Sequence, residues 1–188
     1  MVFIGFGALS DRSFDPDAML VERFVGGDTA AFQTIYELYY SKVYAIARGV
    51  LLDADEAADA AQEVFTAIYK SMHKFDGRAR FSTWVHRIAV NRSIQHARTL
   101  KNRSRLEPLN EALDAAAPTH EPSFADETIA NCLEALSAED RAIIVLYYWQ
   151  EMPLDEIGAA LGCNANAAKT RLFRARERFK NLYSKEAL

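Results

Sequence analysis

Several classes of protein are excluded by what this sequence of 188 residues lacks. It contains only 2 cysteines, and Cys132 and Cys163 form no Cys-x-x-Cys motif and have no histidine pair at zinc-binding spacing. We therefore expect neither a disulfide framework nor a zinc site. Both cysteines are interpreted as buried thiols in a reducing compartment.

Long hydrophobic runs are also absent. The apolar opening, residues 1–9, lacks a basic start and is far shorter than the ~20 residues that span a bilayer. We interpret residues 1–14 as an N-terminal extension, frayed or docked on a partner, that is neither a signal peptide nor an anchor. The protein is therefore expected to be cytoplasmic, with no direct insertion into a membrane.

The motifs of common enzymes are missing as well. The chain has 8 glycines but no phosphate-binding loop, and it has no metal-ligand cluster or nucleophile–base pair. Its histidines are scattered and are interpreted as surface or core residues: His73, His86, His96 and His120. We predict that the protein is not an enzyme and uses no cofactor or metal.

What the sequence does contain is apolar material in a helical pattern. Hydrophobic residues make up 50% of the chain, which suffices for a core and excludes disorder throughout. Apolar residues recur every three to four positions, and no segment shows strand alternation. We predict an all-α fold of two small helical domains, residues 15–105 and 124–188, joined by a flexible acidic linker over residues 106–123.

Capping residues mark where the helices begin and end. The predicted N-caps are Asp15, Asp28, Ser82, Ser137 and Asn164. Gly26-Gly27 is a predicted helix stop. Helices are expected over residues 54–72 and from Ser82 to about Lys101, and in the helix after Ser137 we expect Ile143, Ile144 and Tyr147 to face the core.

The net charge of -4 conceals an uneven distribution. Residues 77–105 contain eight Lys or Arg and no acid, residues 106–140 contain nine acids and no Lys or Arg, and residues 169–188 contain seven bases against two acids. Two basic segments thus flank an acidic one, a pattern that suits a polyanion held at two separate places. The alternative is that these segments are solvated helix faces.

The last third of the chain shows a helix-turn-helix pattern. A short helix over residues 153–161, a turn at Gly162-Cys163 and a long basic helix from Asn164 are the parts that this motif requires. With Ala168, Leu172 and Ala175 buried, a set of polar and basic side chains projects from the second helix: Asn166, Lys169, Thr170, Arg171 and Arg174. An ordinary basic helix in a bundle is the alternative.

Aromatic residues lie at the start of the first basic segment and just before it. Phe75, Phe81 and Trp84 alternate with arginines, and aromatic faces beside positive charge suit the unstacked bases of single-stranded or opening DNA. Phe81 and Trp84 are equally compatible with a place in the core.

Four motifs, in order and in spacing, resemble one family. They are DEAADAAQEVF at 55–65, FSTWVHRIAVN at 81–91, PLDEIGAALG at 153–162 and RLFRARER at 171–178. Together they resemble the extracytoplasmic-function sigma factors of bacterial RNA polymerase, over roughly residues 16–182. The resemblance implies a factor that directs promoter-specific initiation: residues 15–105 form the region 2 domain and residues 124–188 the region 4 domain.

The resemblance also implies partners and site residues. Asp59, Gln62 and Glu63 match the family's surface for the clamp helices of the largest polymerase subunit, although by themselves they describe only a solvated face. The second-subunit flap, promoter DNA and an anti-sigma factor are the other implied partners. No residue of this sequence identifies the anti-sigma factor.

Two sets of residues are implied to bind promoter DNA. In the minus-ten set, the loop over residues 76–81 and Asn91 match the family's pocket for a flipped base. The full minus-ten set is Asp76, Arg78, Arg80, Phe81, Trp84, Arg87, Asn91, Arg92 and Arg98. The minus-thirty-five set is Asn166, Lys169, Thr170, Arg171, Arg174 and Arg178.

The chain departs from the family pattern at two positions. Ala167 occupies the place of a threonine before the recognition-helix arginine, and Val85 follows Trp84 where housekeeping sigma factors have a second aromatic residue. Strand opening would then depend on base capture more than on an aromatic wedge. A conventional helix-turn-helix regulator is the alternative function, but it leaves the acid-free segment at 77–105 without a role.

Overall fold

The computed structural model describes residues 15–106 and 127–186 of the chain. Within them it contains eight α-helices and no strand, which confirms the all-α prediction. The helices are α1 (Pro16–Val25), α2 (Ala30–Leu51), α3 (Ala54–Ser71), α4 (Phe81–Leu106), α5 (Glu127–Glu134), α6 (Ala138–Tyr148), α7 (Leu154–Ala160) and α8 (Ala165–Glu186). The predicted N-terminal extension, nearly all of the predicted linker and its boundary with the second domain lie outside the described residues.

Most of the predicted caps are present. Asp15 accepts a hydrogen bond from the amide of Asp17, at the start of α1. At α2 the N-cap is Thr29 instead of the predicted Asp28, although the Asp28 carboxylate accepts at 3.0 Å from the amide of Ala30. Gly26 ends α1, and Gly27 follows with a φ of 100°, which glycine adopts without strain. The local sequence therefore accounts for the entry and exit of α1.

The start of α4 differs from the prediction. Ser82 was expected to cap this helix, but α4 already begins at Phe81. The Phe81 amide donates at 2.7 Å to the carboxylate of Asp15, far away in sequence, so a tertiary contact satisfies one of the first-turn amides. The helix also continues to Leu106, past the predicted end near Lys101.

The N-terminal core lies between α2, α3 and α4. Ile35, Val43 and Ile46 of α2 are completely buried, as are Val64 and Ile68 of α3. These residues follow the predicted three-to-four spacing, so the apolar stripes of the two long helices face each other. The 3-10 turn Met72–Lys74 then leads from α3 into the loop before α4.

The C-terminal helices are positioned by caps and one close glycine contact. Ser137 caps α6 by accepting from the Asp140 amide at 3.1 Å, and Asn164 caps α8 by accepting from the Ala167 amide at 2.8 Å, as predicted. A side chain on Gly158 would collide with the Cys163 carbonyl, so glycine allows the tight turn between α7 and α8.

The core of these helices follows the prediction with one exception. Ile143 and Ile144 are buried, but Tyr147 was expected to face the core and is instead 37% exposed. Its position at the end of α6, where the chain turns toward α7, carries the ring out to the surface.

The two groups of helices pack against each other. Helix α2 contacts α6, and α4 contacts both α6 and α7, so the buried residues of both groups form one continuous cluster. Among the described helices, none is long and apolar enough to cross a membrane.

Candidate nucleic-acid and polymerase interfaces

Helix α8 presents the predicted recognition residues to solvent. Ala168 and Ala175 are completely buried and Leu172 is 5% exposed, which fixes the rotation of the helix against α6 and α7. The opposite side exposes the predicted set of Asn166, Lys169, Thr170, Arg171 and Arg174. The short α7, the tight turn and the exposed basic α8 make the helix-turn-helix arrangement that the sequence predicted.

The last residue of the minus-thirty-five set forms an ion pair within the protein. Arg178 is exposed, and its Nη1 donates to both carboxylate oxygens of Asp140, at 2.6 and 2.7 Å. Asp140 sits in the first turn of α6. Arg178 would have to leave this carboxylate before it could reach a phosphate.

Sequence reasoning missed one residue on the same helix. Phe173 is 64% exposed, the largest exposure among the large hydrophobic residues described. It lies three residues after Thr170 and four after Lys169, on the same face. The sequence could have predicted this exposure, because the apolar spacing that buries Leu172 leaves Phe173 outside the core. A phenylalanine ring can contact a thymine methyl group.

The three aromatic residues near the start of α4 form a cluster. The Phe75 ring centroid is 5.3 Å from that of Phe81 and 5.7 Å from that of Trp84, and Phe81 stacks on Trp84 at 5.6 Å. Phe81 has no exposed surface, which contradicts a direct stacking contact between its ring and a base. Phe75 and Trp84 are half-buried and present the accessible edge of the cluster.

The loop before α4 holds the first charged residues of the minus-ten set. Asp76 accepts from the Arg78 amide at 3.1 Å and pairs with the Arg78 guanidinium at 3.2 Å. Gly77 has a φ of 67°, which suits glycine at the apex of the turn. Asp76, Arg78 and Arg80 are all exposed beside the aromatic cluster.

The remaining minus-ten residues extend along α4. Arg87, Asn91 and Arg92 are exposed. Arg98 is exposed as well but donates at 2.7 Å to Glu139 of α6, and this hydrogen bond holds the pKa of Glu139 below its ordinary value. The set therefore extends about four helical turns along α4 beyond Trp84.

The three predicted polymerase contacts lie together. Asp59, Gln62 and Glu63 are exposed on α3 along an open groove of about 630 Å³ between α3 and α4. The groove is completed by Thr66, Ala67, Lys70, Arg92 and His96. Its lining carries both signs of charge.

His96 connects the two walls of this groove. Its Nε2 forms a hydrogen bond with Glu56, and its Nδ1 lies 3.9 Å from a Glu63 carboxylate oxygen. Among the described residues, no group of three or more His, Cys, Asp or Glu is placed to hold a metal ion. The cluster thus orients α3 against α4.

An exposed aromatic strip beside α3 was also missed. Tyr36 and Tyr40 of α2 are 36% and 37% exposed and pack on Phe65, while Tyr69 of α3 is 49% exposed and packs on Phe32. Tyr36 and Tyr40 lie four residues apart on α2, a spacing that places them on one face of the helix. The same spacing is equally typical of core residues, so it did not by itself predict an exposed strip.

His86 is a core residue. It is 6% exposed, and neither ring nitrogen has a hydrogen-bond partner. Burial, with a smaller effect from nearby Lys42, lowers the pKa of His86 from 6.5 to about 4. The imidazole is therefore neutral at physiological pH and contributes to packing.

Comparisons with known proteins match both groups of helices. The model of Sigma-70 region 2 matches residues 35–103, and that of Sigma-70 region 4 matches residues 126–179. The class of protein is therefore a two-part helical factor of the sigma-70 type, with the helix-turn-helix in its second part.

Relatives narrow the class further. The SigW sigma factor of Bacillus subtilis is 32% identical over 80% of this chain and 88% of its own, and the sigma-E factor of Escherichia coli is 29% identical over 88% of this chain and 93% of its own. The structure of CnrH in complex with the cytosolic domain of CnrY superposes with a TM-score of 0.66 at 22% identity, covering 90% of this chain and 97% of CnrH, which shows a shared fold. This chain belongs to the extracytoplasmic-function family of RNA polymerase sigma factors.

Proposed function

We propose that the protein binds core RNA polymerase through its N-terminal helices and directs initiation at promoters read by two separate helices. The observation that carries the proposal is the exposed basic face of α8 in a helix-turn-helix, on a chain whose other half matches Sigma-70 region 2. The proposed region 2 domain spans residues 15–105 and the proposed region 4 domain residues 124–188.

Polymerase binding is assigned to the groove between α3 and α4. Asp59, Gln62 and Glu63 offer carboxylates and an amide along one wall, where a helix with basic side chains would find charge-assisted hydrogen bonds. The largest-subunit clamp helices are the proposed occupant. The second-subunit flap is assigned to the C-terminal helices.

Minus-ten recognition is assigned to the loop before α4 and the exposed face behind it. Phe75 and Trp84 offer aromatic surface, and Arg78 and Arg80 add positive charge next to it. A base that leaves the duplex loses a few kcal/mol of stacking, which contacts in such a pocket offset. Asn91 is assigned to the edge of the captured base.

Minus-thirty-five recognition is assigned to the first half of α8. Arg171 is suited to bridging O6 and N7 of a guanine, while Lys169 and Arg174 are suited to phosphates. Because Ala167 replaces the family's threonine, this side chain offers no hydroxyl to a phosphate.

An anti-sigma factor is the proposed regulator. A structural relative with a TM-score of 0.63, the sigma factor RpoE from Bartonella quintana, was solved in complex with the anti-sigma factor NepR. We infer that a partner of this kind covers the polymerase-binding and DNA-binding faces of this chain until a signal releases it.

Gel filtration with bacterial core polymerase tests the proposal, followed by transcription from a library of random upstream sequences. Co-elution and transcripts that share two upstream elements are expected. Failure to co-elute, under conditions in which another sigma factor binds, would refute it and would favour the conventional regulator. A palindromic footprint from a dimer would establish that alternative.

A matched pair of variants locates the polymerase surface. Glu63→Gln removes a charge from the groove, whereas Glu37→Gln removes one from an exposed position on α2, where Glu37 bonds only to Gln33 among the contacts described. Core affinity should fall several-fold for the first variant and stay unchanged for the second. Equal affinities would remove the groove from the interface.

A further inference from the structure

Rings from three helices make a continuous series of contacts along the aromatic strip. Phe24 of α1 packs on Tyr69 of α3 with 5.1 Å between ring centroids, and Tyr69 packs on Phe32 of α2 at 5.0 Å. Phe32 also contacts Phe65, on which Tyr36 lies at 4.6 Å. Because each ring is held by at least one other, the strip is a preformed surface.

The tyrosines of the strip are exposed, although the ring beneath them is not. Tyr36 and Tyr40 are 36% and 37% exposed and Tyr69 is 49% exposed, whereas Phe65 is 4% exposed. A contiguous apolar patch on a folded protein marks a surface that interacts with another chain segment. Among the described residues, nothing covers the three tyrosines further.

The N-terminal extension has a composition that matches the strip. Within residues 1–9, MVFIGFGAL, six side chains are large and apolar and none carries a charge. The groove between α3 and α4 differs, since its lining includes Asp59, Glu63, Lys70 and Arg92. An uncharged segment would desolvate these charges if it covered the groove, but it desolvates none when it covers the strip. Charge complementarity therefore favours the strip.

The extension joins the described fold close to the strip. At the start of α1 the Asp17 carboxylate accepts a hydrogen bond from the Tyr39 hydroxyl of α2, and in the last turn Phe24 contacts Tyr69. Helix α1 has 10 residues and is therefore only ~15 Å long. Residues 10–14 can span about 17 Å. They therefore suffice to carry residues 1–9 from the start of α1 to the strip.

Attachment to the same chain also favours this occupant. A segment on a short tether meets its site at an effective concentration of about 1 mM, so contacts too weak to hold a separate protein still fill the site. A second copy of this chain would have to reach that concentration in solution to occupy the strip equally well.

We propose that the aromatic strip is the docking surface for the protein's own N-terminal extension, with the apolar side chains of residues 1–9 against Tyr36, Tyr40 and Tyr69. Docking removes two apolar surfaces from water without a second protein, which is favourable. The strip lies between α2 and α3, whereas the groove lies between α3 and α4. The inference therefore does not rest on the proposed function.

Hydroxyl-radical footprinting of tyrosines tests the proposal. Oxidation rates of the three strip tyrosines are measured by mass spectrometry in the full chain and in a full-length variant that carries Phe3→Ser, Ile4→Ser and Phe6→Ser. Tyr148 of α6 and Tyr183 of α8 are internal controls in both proteins, because they are 49% and 40% exposed and lie outside the strip.

We expect the strip tyrosines to be oxidised several-fold faster in the variant, because the serine side chains no longer cover them. The control tyrosines should react at the same rate in both proteins. Equal rates at the strip in the two proteins would overturn the proposal. So would a rise that includes the control tyrosines, since it would report loosening of the whole fold.

Dilution distinguishes the extension from a second copy of the chain. Protection of the strip in the full chain should stay constant over a wide range of protein concentration, because an intramolecular contact does not depend on concentration. Protection that is lost on dilution would assign the strip to another copy and would overturn the proposal.

A photo-crosslink locates the contact directly. Phe6→benzoylphenylalanine should give crosslinks within one chain to peptides that contain Tyr36, Tyr40 or Tyr69. The control, Tyr183→benzoylphenylalanine, should give none to these peptides. Crosslinks from residue 6 only to the groove or to the C-terminal helices would overturn the proposal. Neither polymerase nor DNA is present, so failure of this inference and failure of the proposed function are separate results.

Discussion

The two basic helices, α4 and α8, are built in different ways. Helix α8 buries small residues such as Ala168 and Ala175 and exposes a face that is polar except for Phe173. Helix α4 packs against α2, α3 and α7 and buries Phe81, Thr83 and His86 close to its charged residues. Substitutions on the exposed side of α8 should therefore change DNA binding alone, whereas many on α4 should change folding as well.

The largest expected effect comes from Phe81→Ala. Phe81 is fully buried and contacts Tyr39, Phe75 and Trp84, so its removal leaves a cavity and should lower the free energy of unfolding by about 4 kcal/mol. Urea denaturation followed by circular dichroism measures the change. A loss below ~1 kcal/mol would mean that the ring is not a core residue.

Acid should destabilise α4 through His86. The pKa of His86 is about 4 in the folded protein against 6.5 ordinarily, so the unfolded chain binds more protons between these values. The contribution of neutral His86 to the free energy of unfolding is therefore fully present above pH 6.5. It falls by about 3 kcal/mol as the pH decreases to 4. Urea titrations at pH 7, 5.5 and 4 measure this, and His86→Leu should remove that part of the slope. If the free energy of unfolding depended on pH identically in His86→Leu and in the unsubstituted protein, His86 would not be the source of the acid sensitivity.

Arg171→Ala tests base reading by α8. Affinity for the selected upstream element should fall by about 1–3 kcal/mol, with specificity relaxed at one base pair. Arg176→Ala, at another exposed position of the helix, is the control. Equal losses on matched and mismatched sites would show a phosphate contact instead of a base contact.

Asn91→Ala tests base capture by α4. Recognition of the upstream duplex should be unchanged, while open complexes weaken by about 1 kcal/mol, the usual worth of a hydrogen bond. Permanganate reactivity of melted thymines measures the effect, and Gln95→Ala, one turn further along α4, is the control. Unchanged reactivity would remove Asn91 from the pocket.

The smallest stability effect is expected from Phe173→Ala. With 64% of its surface exposed, Phe173 should contribute less than ~0.5 kcal/mol to folding, in contrast to Phe81. Affinity for upstream elements that contain thymine at the contacted position should nevertheless fall a few-fold. A large stability loss would place Phe173 in the core and remove the contrast between the two helices.

Much of the fold was predictable because its signals are local. Asp15, Ser137 and Asn164 cap the helices they were expected to cap, since a cap depends on residues two or three positions away. The turn of the helix-turn-helix was predictable for the same reason. Ser82 failed as a cap because the distant Asp15 carboxylate takes the Phe81 amide.

The candidate site was less predictable than the fold. Periodicity placed Asp59, Gln62 and Glu63 on one face of α3, but not beside Arg92 and His96 across a groove. Phe81, which was equally compatible with a base contact and with the core, is buried, and Tyr147, which was expected in the core, is 37% exposed. In each case the burial and the surroundings of the side chain depend on which other helix packs beside it. The periodicity of one helix does not specify that neighbouring helix.

The sequence was sufficient for the family, the helical pattern and the exposed basic face of α8, because motifs and helical periodicity act over a few residues. Tertiary structure decided the partners of Arg98, Arg141 and Arg178, and it made Gly49 the point at which two helices meet. These contacts join residues far apart in the chain, and only packing of the two groups of helices brings them together.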